Sequence, residues 1–305
     1  MRVRAFDGAF PTGGTFGVLG YCVPYQRGSN TEKDWASGSA NWGNKSGNAF
    51  PDVFFNQAVT YNGSACTYDY NNSGGPRKWY NTTQNQEAIS PDNYRYTFFA
   101  YYPMDDFTVE SPTNATTRGV PKLTFTMPFA ETGDVATTTL DDKETPDAMV
   151  SVVYNHLRTT GNVRFNFSHI MTGLGFAVNN YNYGGDDETV TVKRVTLSGN
   201  FTRSITIDFS KNTNEDGFYT YSGTYPGTYV IYNNEEGFAI APNSSVPLIG
   251  DKHLLLLSNA TDGTYFGENV KVHVEYTYRG GSKERLCRTS DAVPAPCGRP
   301  LYGAA

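Results

Sequence analysis

The chain has 305 residues, a formal net charge of −6 and a pI of about 5.3. This acidic balance argues against nucleic acid as the partner, because phosphate binding needs clustered Lys and Arg. No apolar run reaches the roughly 18 residues of a membrane-spanning helix, and no apolar signal segment follows Met1. We therefore expect no membrane span. Either the protein is cytoplasmic or its targeting segment lies outside this sequence, and a composition with many aromatic strand residues and few charges favours the exported protein.

The composition favours β-structure. Charged residues make up only 18% of the chain, whereas it contains 22 tyrosines, 19 phenylalanines and 31 glycines. Aromatic, Thr and Val residues are typical of strands, and Gly and Asn are typical of the turns between them. Because no window shows sustained helical periodicity, the sequence predicts an all-β fold.

The first half of the chain predicts short strands between polar segments. Asn62-Gly63 is a strong signal for a tight hairpin. The strand at 94–102 has the most aromatic residues and is predicted to be central, and the continuous apolar run at 148–154 predicts a strand buried on both faces. The predicted strands are 15–21, 53–61, 65–70, 94–102, 122–127 and 148–154.

The second half continues the same pattern. Val163, Phe165 and Phe167 alternate with polar residues, which predicts a half-buried strand. The apolar residues of 190–197 change phase between Val192 and Val195, which indicates a bulge. Further strands are predicted at 174–178, 201–209, 217–222, 228–232, 237–241, 253–257 and 270–278. Strands that recur every ten to fifteen residues or so are typical of sandwiches or barrels.

The chain is long enough for two domains of ordinary size. Residues 155–161 are the best boundary, so we predict an N-terminal domain at 1–155 and a C-terminal domain at 156–305. From about residue 280 the alternation stops, and an atypical tail rich in Pro and Gly is expected to be disordered or out of register.

No constellation of residues indicates catalysis. His169, His253 and His273 lie in strand patterns, where a hydrogen-bonded structural role is the usual one. The acidic clusters at 105–106, 141–142 and 186–188 could hold Ca²⁺, but none matches a calcium-loop motif, so solvated turns are favoured. We expect no metal and no cofactor. A hydrolase with dispersed carboxylates stays open as an alternative.

The four cysteines are Cys22, Cys66, Cys287 and Cys297, and none forms a CxxC pair. A zinc site is therefore not expected. If a disulfide forms, Cys287 and Cys297 are the favoured pair because they are close in sequence.

Most aromatic residues are expected to fill hydrophobic cores. Trp35 and Trp42 are the exceptions, because both lie in a long polar segment at 23–51 that is too long for a bare connector. They are candidates for exposed aromatics that stack on sugars, which makes a glycan-binding surface module the alternative function.

Three groups of motifs together resemble the fimbrillin family of Bacteroidetes, the Mfa-like and major-fimbrial-subunit-like surface proteins. The first group is TFGVLGY (15–21), PDVFFNQAVTYNG (51–63), Lys78-Trp79 and YTFFAYYP (96–103). The second is VRFNFSHIMTGLGFAVNN (163–180) with VKRVTLSG (192–199), and the third is GFAIAP (237–242) with VKVHVEYTY (270–278). Each motif is degenerate, but their order and spacing carry the resemblance up to about residue 280.

The resemblance implies two tandem transthyretin-like β-sandwich domains and a lipid-anchored, exported precursor at the outer membrane. It implies a pilus subunit or tip adhesin without catalysis, whose partners are other fimbrial subunits and host or bacterial receptors or glycans. Subunits of this family are joined by strand exchange after a protease cleaves behind an Arg. Arg4-Ala5 resembles that cleavage site. A donor strand satisfies the open N–H and C=O groups of a sheet edge, as in β-augmentation.

Overall fold

The computed structural model describes residues 10–24, 51, 53–70, 94–110, 121–127, 136–139, 147–157, 161–180, 188–211, 215–241, 243–250, 253–258, 266–280 and 283–292. Within these ranges the chain forms seventeen strands, one short 3-10 helix at Met104–Asp106 and no α-helix. The predicted all-β class is therefore confirmed.

The strands are, in chain order, β1 (Thr15–Pro24), β2 (Phe54–Tyr61), β3 (Cys66–Thr67), β4 (Tyr94–Tyr102), β5 (Phe107–Glu110), β6 (Lys122–Thr126), β7 (Ala136–Thr139), β8 (Met149–His156), β9 (Ser168–His169), β10 (Thr172–Leu174), β11 (Ala177–Asn180), β12 (Glu188–Asp208), β13 (Tyr219–Ile240), β14 (Ser244–Pro247), β15 (Leu254–Leu256), β16 (Gly267–Gly280) and β17 (Lys283–Ala292).

Sheet 1 is antiparallel and has the order β3-β2-β1-β4-β8-β9. The aromatic strand β4 lies between β1 and β8, as predicted. The predicted hairpin at Asn62-Gly63 joins β2 to β3, and the Asn62 Oδ1 accepts the backbone N–H groups of Ser64 and Ala65 at 3.0 and 2.8 Å. The Asn62 N–H also donates to the Ala65 carbonyl oxygen at 3.0 Å, so side chain and backbone close the turn together.

Sheet 2 has the order β17-β16-β12-β13-β7, and β6 pairs with β12 and with β5. Two small antiparallel pairs, β10–β15 and β11–β14, accompany it. Strands β12 and β13 each unite segments that were predicted as separate strands. The predicted bulge near Val192 is confirmed by a register shift between Val192 and Arg194.

Gly237 allows β13 to join the predicted strands at 228–232 and 237–241 into one. Its φ is +71°, and a Cβ at this position would lie 2.6 Å from the carbonyl oxygen of Val192. Only glycine fits a left-handed conformation this close to a neighbouring backbone. The strand can therefore kink here and continue.

The larger of two hydrophobic cores is shared by sheet 1, sheet 2 and the small pairs. The Phe99 ring on β4 lies 4.7 Å from the Phe209 ring just after β12, measured between centroids. The other face of sheet 1 carries a second apolar layer, which includes Phe16, Phe54 and Phe98. Sheet 1 is thus buried on both faces, which confirms the interpretation of the continuous apolar run in β8.

The second layer is covered by residues 161–167, here called the cover segment. The rings of Phe165 and Phe167 lie 5.7 and 5.2 Å from the Phe16 ring. Val163, Phe165 and Phe167 are half-buried and their polar neighbours are exposed, as the alternation predicted. The predicted strand is nevertheless wrong at 163–167, because ladder pairing begins only at Ser168 and His169.

The position of the cover segment is fixed at its end. His169 pairs with Met149 of β8, and its Nδ1 lies 2.6 Å from the Oδ1 of Asp147. His169 is therefore a strand residue with a hydrogen-bonded partner.

Strands from both sides of the predicted boundary at 155/156 share sheet 2. Residues 122–126 (β6) pair with 204–208 of β12, and residues 136–139 (β7) run parallel to 227–230 of β13. The division into domains 1–155 and 156–305, and their likeness to transthyretin, stay predictions.

The expectation of a disordered tail is wrong for residues 283–292. These residues form β17, which pairs with β16 over ten residues from Gly280↔Lys283 to Lys271↔Ala292. The segment does not alternate in hydrophobicity, so its pattern gave no strand signal, and among the described strands it lies at one end of the order of sheet 2.

Candidate assembly edge and surface cleft

One edge of sheet 1 is largely uncovered in the part of the chain that the structure describes. On its inner side β8 pairs with β4 along nearly its whole length. On its outer side the short β9 reaches only Met149 and Val150. From Ser151 to Val153 the outer edge of β8, here called the β8 edge, has no ladder partner among the described residues.

The direction of the backbone groups on β8 follows from one hydrogen bond. The carbonyl oxygen of Ala148 accepts the N–H of Ile170 at 2.9 Å on the outer side. Backbone groups of alternate strand residues point to the same side. The N–H and C=O of Val150 and Val152 therefore point outwards as well, and those of Ser151 point towards β4.

Apolar side chains flank the β8 edge on both faces. Val152 and Tyr154 pack against the larger core, and Val153 packs against the second layer. The Tyr154 ring lies 6.3 Å from the Phe99 ring, and burial raises the pKa of Tyr154 to about 12. The Ser151 Oγ is buried and makes no hydrogen bond with any described residue.

The opposite edge of sheet 1 carries a cleft, here called the β2 cleft, with a volume of about 580 Å³. It opens where β3 diverges from β2 after Thr67, because the pairing of the two strands is limited to Thr60↔Thr67 and Tyr61↔Cys66. The residues that line it are Phe55, Asn56, Gln57, Ala58, Thr60, Thr67, Tyr68 and Asp69.

A bulge in β2 shapes this cleft. The register with β1 shifts between Val18↔Gln57 and Gly20↔Phe54, and Asn56 has a φ of +49°. The Asn56 Oδ1 accepts a hydrogen bond from the Tyr101 hydroxyl, which comes from β4 across β1. The hydroxyl is protonated at neutral pH, and burial raises the pKa of Tyr101 further above its ordinary value.

The Gln57 side chain closes part of the gap between β2 and the diverging chain. It is 8% exposed, and its Nε2 donates to the carbonyl oxygens of Ala58 at 2.9 Å and Asp69 at 3.2 Å. The side chain therefore takes the place of the missing ladder hydrogen bonds.

The comparisons with known proteins agree with the motif resemblance. A family model described as fimbrillin-like matches residues 27–277, which is well over half of the chain. The chain belongs to the fimbrillin-like family. No curated protein and no solved structure matches it significantly.

Membership in the fimbrillin-like family indicates the general role of the chain. The family is structural rather than catalytic, and it implies a fimbrial subunit at the cell surface with other fimbrial subunits as partners. Within the described ranges, no helix has the length and apolar character that crossing a bilayer requires.

Several sites predicted for this fimbrillin-like chain lie outside the described residues. Arg4, Trp35 and Trp42 are among them, so the processing site and the two stacking aromatics stay predictions. Cys297 and the acidic residues at 141–142 and 186–187 also lie outside the described ranges.

Other predicted residues are placed. Cys66 is a free, exposed thiol in the hairpin strand β3, and burial of part of the side chain raises its pKa. Asp105 and Asp106 lie in the 3-10 helix, where burial and the charge of Asp105 raise the pKa of Asp106. The described ranges contain no group of three or more His, Cys, Asp or Glu residues placed to hold a metal ion.

Sequence reasoning missed both the β8 edge and the β2 cleft. A strand lies at an edge because no other strand pairs with one of its sides. This depends on the order of strands in the sheet and not on the sequence of the strand itself. The cleft depends on a bulge at Asn56, for which a polar pair within an apolar strand (Asn56 and Gln57) was the only available signal.

Proposed function

We propose that this fimbrillin-like chain is a subunit that joins its neighbours by strand exchange, and that the β8 edge accepts the donated strand. The observation that supports this most strongly is the outer edge of β8 at 151–153, which has no ladder partner among the described residues and lies between two apolar layers. The occupant is an extended strand of a neighbouring subunit.

The physical basis is β-augmentation. The outward N–H and C=O of Val152 have no ladder partner in the described part of the chain, and a donated strand would satisfy them. Its alternate side chains would extend the larger core beside Val152 and Tyr154 and the second layer beside Val153. The backbone hydrogen bonds and the burial of alternate side chains both favour an extended apolar segment over a helix or a loop.

The proposal also includes the maturation of the chain and its position in the fimbria. These comprise a lipidated precursor at the outer membrane, a place in the stalk or at the tip as an adhesin, and processing behind Arg4. The N-terminal sequence of the chain taken from assembled fimbriae tests the last of these. Ala5 is expected as the first residue, and an uncleaved Arg4-Ala5 bond in fimbriae would contradict processing at this site.

A proline at residue 152 tests the β8 edge. Val152→Pro removes an outward N–H but no hydrogen bond to β4, so the fold should persist while strand addition is blocked. Ala58→Pro is the matched control at the opposite edge of sheet 1, because the Ala58 carbonyl also points outwards, to Gln57 Nε2. We expect light scattering to show concentration-dependent oligomers for the wild type and the Ala58→Pro variant and only monomer for Val152→Pro.

Urea unfolding of the three proteins provides the necessary check of the fold. If Val152→Pro unfolds like the wild type and still forms the same oligomers, the strand is accepted elsewhere and the proposal fails. If Val152→Pro does not fold, the hydrogen exchange of the Val152 amide in the wild-type monomer and oligomer replaces it, and equal exchange in both would overturn the proposal.

A further inference from the structure

We propose that the β2 cleft binds a neutral saccharide, with one sugar ring stacked on Phe55. The cleft has a volume of about 580 Å³, within the range of about 300–1,000 Å³ that small-molecule sites occupy. It is distinct from the segment that carries Trp35 and Trp42.

The aromatic platform is the first argument. Phe55 is 48% exposed and is the only large hydrophobic residue classed as exposed in the described part of the chain. The bulge at Asn56 holds it there, and the hydrogen bond from Tyr101 fixes Asn56. Bulges are over-represented at sheet edges and next to functional sites, and non-glycine residues in the left-handed region cluster at such sites as well. Aromatic rings present an apolar face that suits the C–H face of a pyranose.

The polar lining is the second argument. The polar residues that line the cleft are Asn56, Gln57, Thr60, Thr67, Tyr68 and Asp69, which carry amides, hydroxyls and one carboxylate. The Asn56 Oδ1 already accepts the Tyr101 hydroxyl and the Thr60 hydroxyl is hydrogen-bonded to that of Thr15. Amides, hydroxyls and a carboxylate match sugar hydroxyls, which both donate and accept hydrogen bonds. Among the described residues no Lys or Arg lines the cleft, and recognition of a phosphate or sulfate would call for such cations.

Gln57 provides an acceptor for the ligand. Its Nε2 is engaged by two carbonyl oxygens, whereas its Oε1 makes no hydrogen bond with any described residue. The side chain is more than nine-tenths buried and lines the cleft. A hydroxyl group of the ligand would donate a hydrogen bond to this oxygen.

The geometry favours a compact ligand over an added peptide strand. The bulge interrupts the regular spacing of backbone groups that a ladder requires. The Ala58 carbonyl, which an added strand would use, already accepts the Gln57 Nε2. The cleft and the β8 edge lie on opposite sides of sheet 1, with β1 and β4 between β2 and β8. At about 4.8 Å per strand, roughly 14 Å separates them, so the saccharide site does not depend on strand exchange.

Saturation-transfer difference NMR on the full-length chain tests this proposal. The probes are galactose, mannose, N-acetylglucosamine and lactose, each titrated at millimolar concentration. We expect at least one of them to receive saturation from the wild type, and Phe55→Ala to weaken its binding by about tenfold or more. Phe55→Leu keeps an apolar side chain but removes the aromatic face, and should lose binding similarly. Phe55→Trp should retain it.

Thr220→Ala, at an exposed position of β13, is the control and should bind like the wild type. Urea unfolding of each variant checks that the fold persists. We expect that it does, because Phe55 is exposed. The proposal is overturned if none of the four sugars binds the wild type, or if Phe55→Leu binds as well as the wild type. Displacement of the bound sugar by an extended peptide at Phe55 would equally overturn it in favour of a strand site.

Discussion

The Tyr101 ring of β4 lies directly across Gly17 of β1. A Cβ at residue 17 would come within 2.3 Å of the Tyr101 Cζ. The ring passes over β1 at this point, and its hydroxyl reaches Asn56 on β2. One side chain thereby connects three adjacent strands of sheet 1 and positions the bulge of the β2 cleft.

Gly17→Ala should destabilise the fold substantially. The added methyl group cannot coexist with the Tyr101 ring, and overpacking of this kind costs about 1–3 kcal/mol. The free energy of unfolding from urea titration measures it. Gly175→Ala is the control, because Gly175 is exposed, has no atom within 4 Å of its potential Cβ and has no positive φ. Equal stability of the two variants would contradict the packing described for Tyr101.

The cover segment should contribute stability through its apolar side alone. Phe165→Ala removes a half-buried ring that packs on Phe16 and Phe98, and should cost about 2 kcal/mol. Asn166→Ala changes the exposed neighbour and should alter the free energy of unfolding by less than about 0.5 kcal/mol. If the two changes have similar effects, the segment is not held by its alternate side chains.

Asp208 should make the fold sensitive to acid. Burial alone would raise the pKa of this carboxyl, but hydrogen bonds from Ser210 and Lys122 and the charge of Lys122 outweigh it and lower the pKa below its ordinary value of 3.8. Because the folded-state pKa is the lower one, the stabilisation is complete above pH 3.8 and is lost as the pH falls through the folded-state pKa. Asp208→Asn should therefore unfold more readily than the wild type at neutral pH.

The stability difference between wild type and Asp208→Asn should shrink as the pH falls below 3.8. Urea unfolding at a series of pH values measures it. Glu235→Gln, which removes an exposed carboxylate on β13, is the control. A difference that stays constant down to pH 2 or so would show that Asp208 gains nothing from its charge in the folded state.

Local sequence patterns predicted the strands but not always their pairing. The alternation at 163–167 correctly indicated which side chains are buried, yet no ladder forms there. Alternation of apolar and polar residues indicates that one side of an extended segment is buried. A segment that lies flat on the face of a sheet shows this pattern, and so does a strand that is paired within a sheet. The phase slip near Val192 was more informative, because a bulge within a strand changes the face on which successive apolar residues appear.

The candidate sites required information that the sequence pattern does not contain. The β8 edge exists because β9 pairs with only two residues of β8. The β2 cleft exists because β3 diverges after Thr67, and Phe55 alone does not differ from the many aromatic residues that fill the cores. Trp35 and Trp42 were singled out for their polar surroundings, whereas the exposed ring that the structure shows lies within an apolar strand.

Hydrogen exchange measured by mass spectrometry on residues 148–157 tests the proposed assembly most directly. The full-length chain is compared as monomer and as the oligomer that it forms at high concentration. Strand acceptance at the β8 edge predicts that the Val152 amide exchanges quickly in the monomer and is protected in the oligomer, while the Ser151 amide, which points towards β4, is protected in both. Oligomers in which the exchange of residues 151–156 equals that of the monomer would contradict the account.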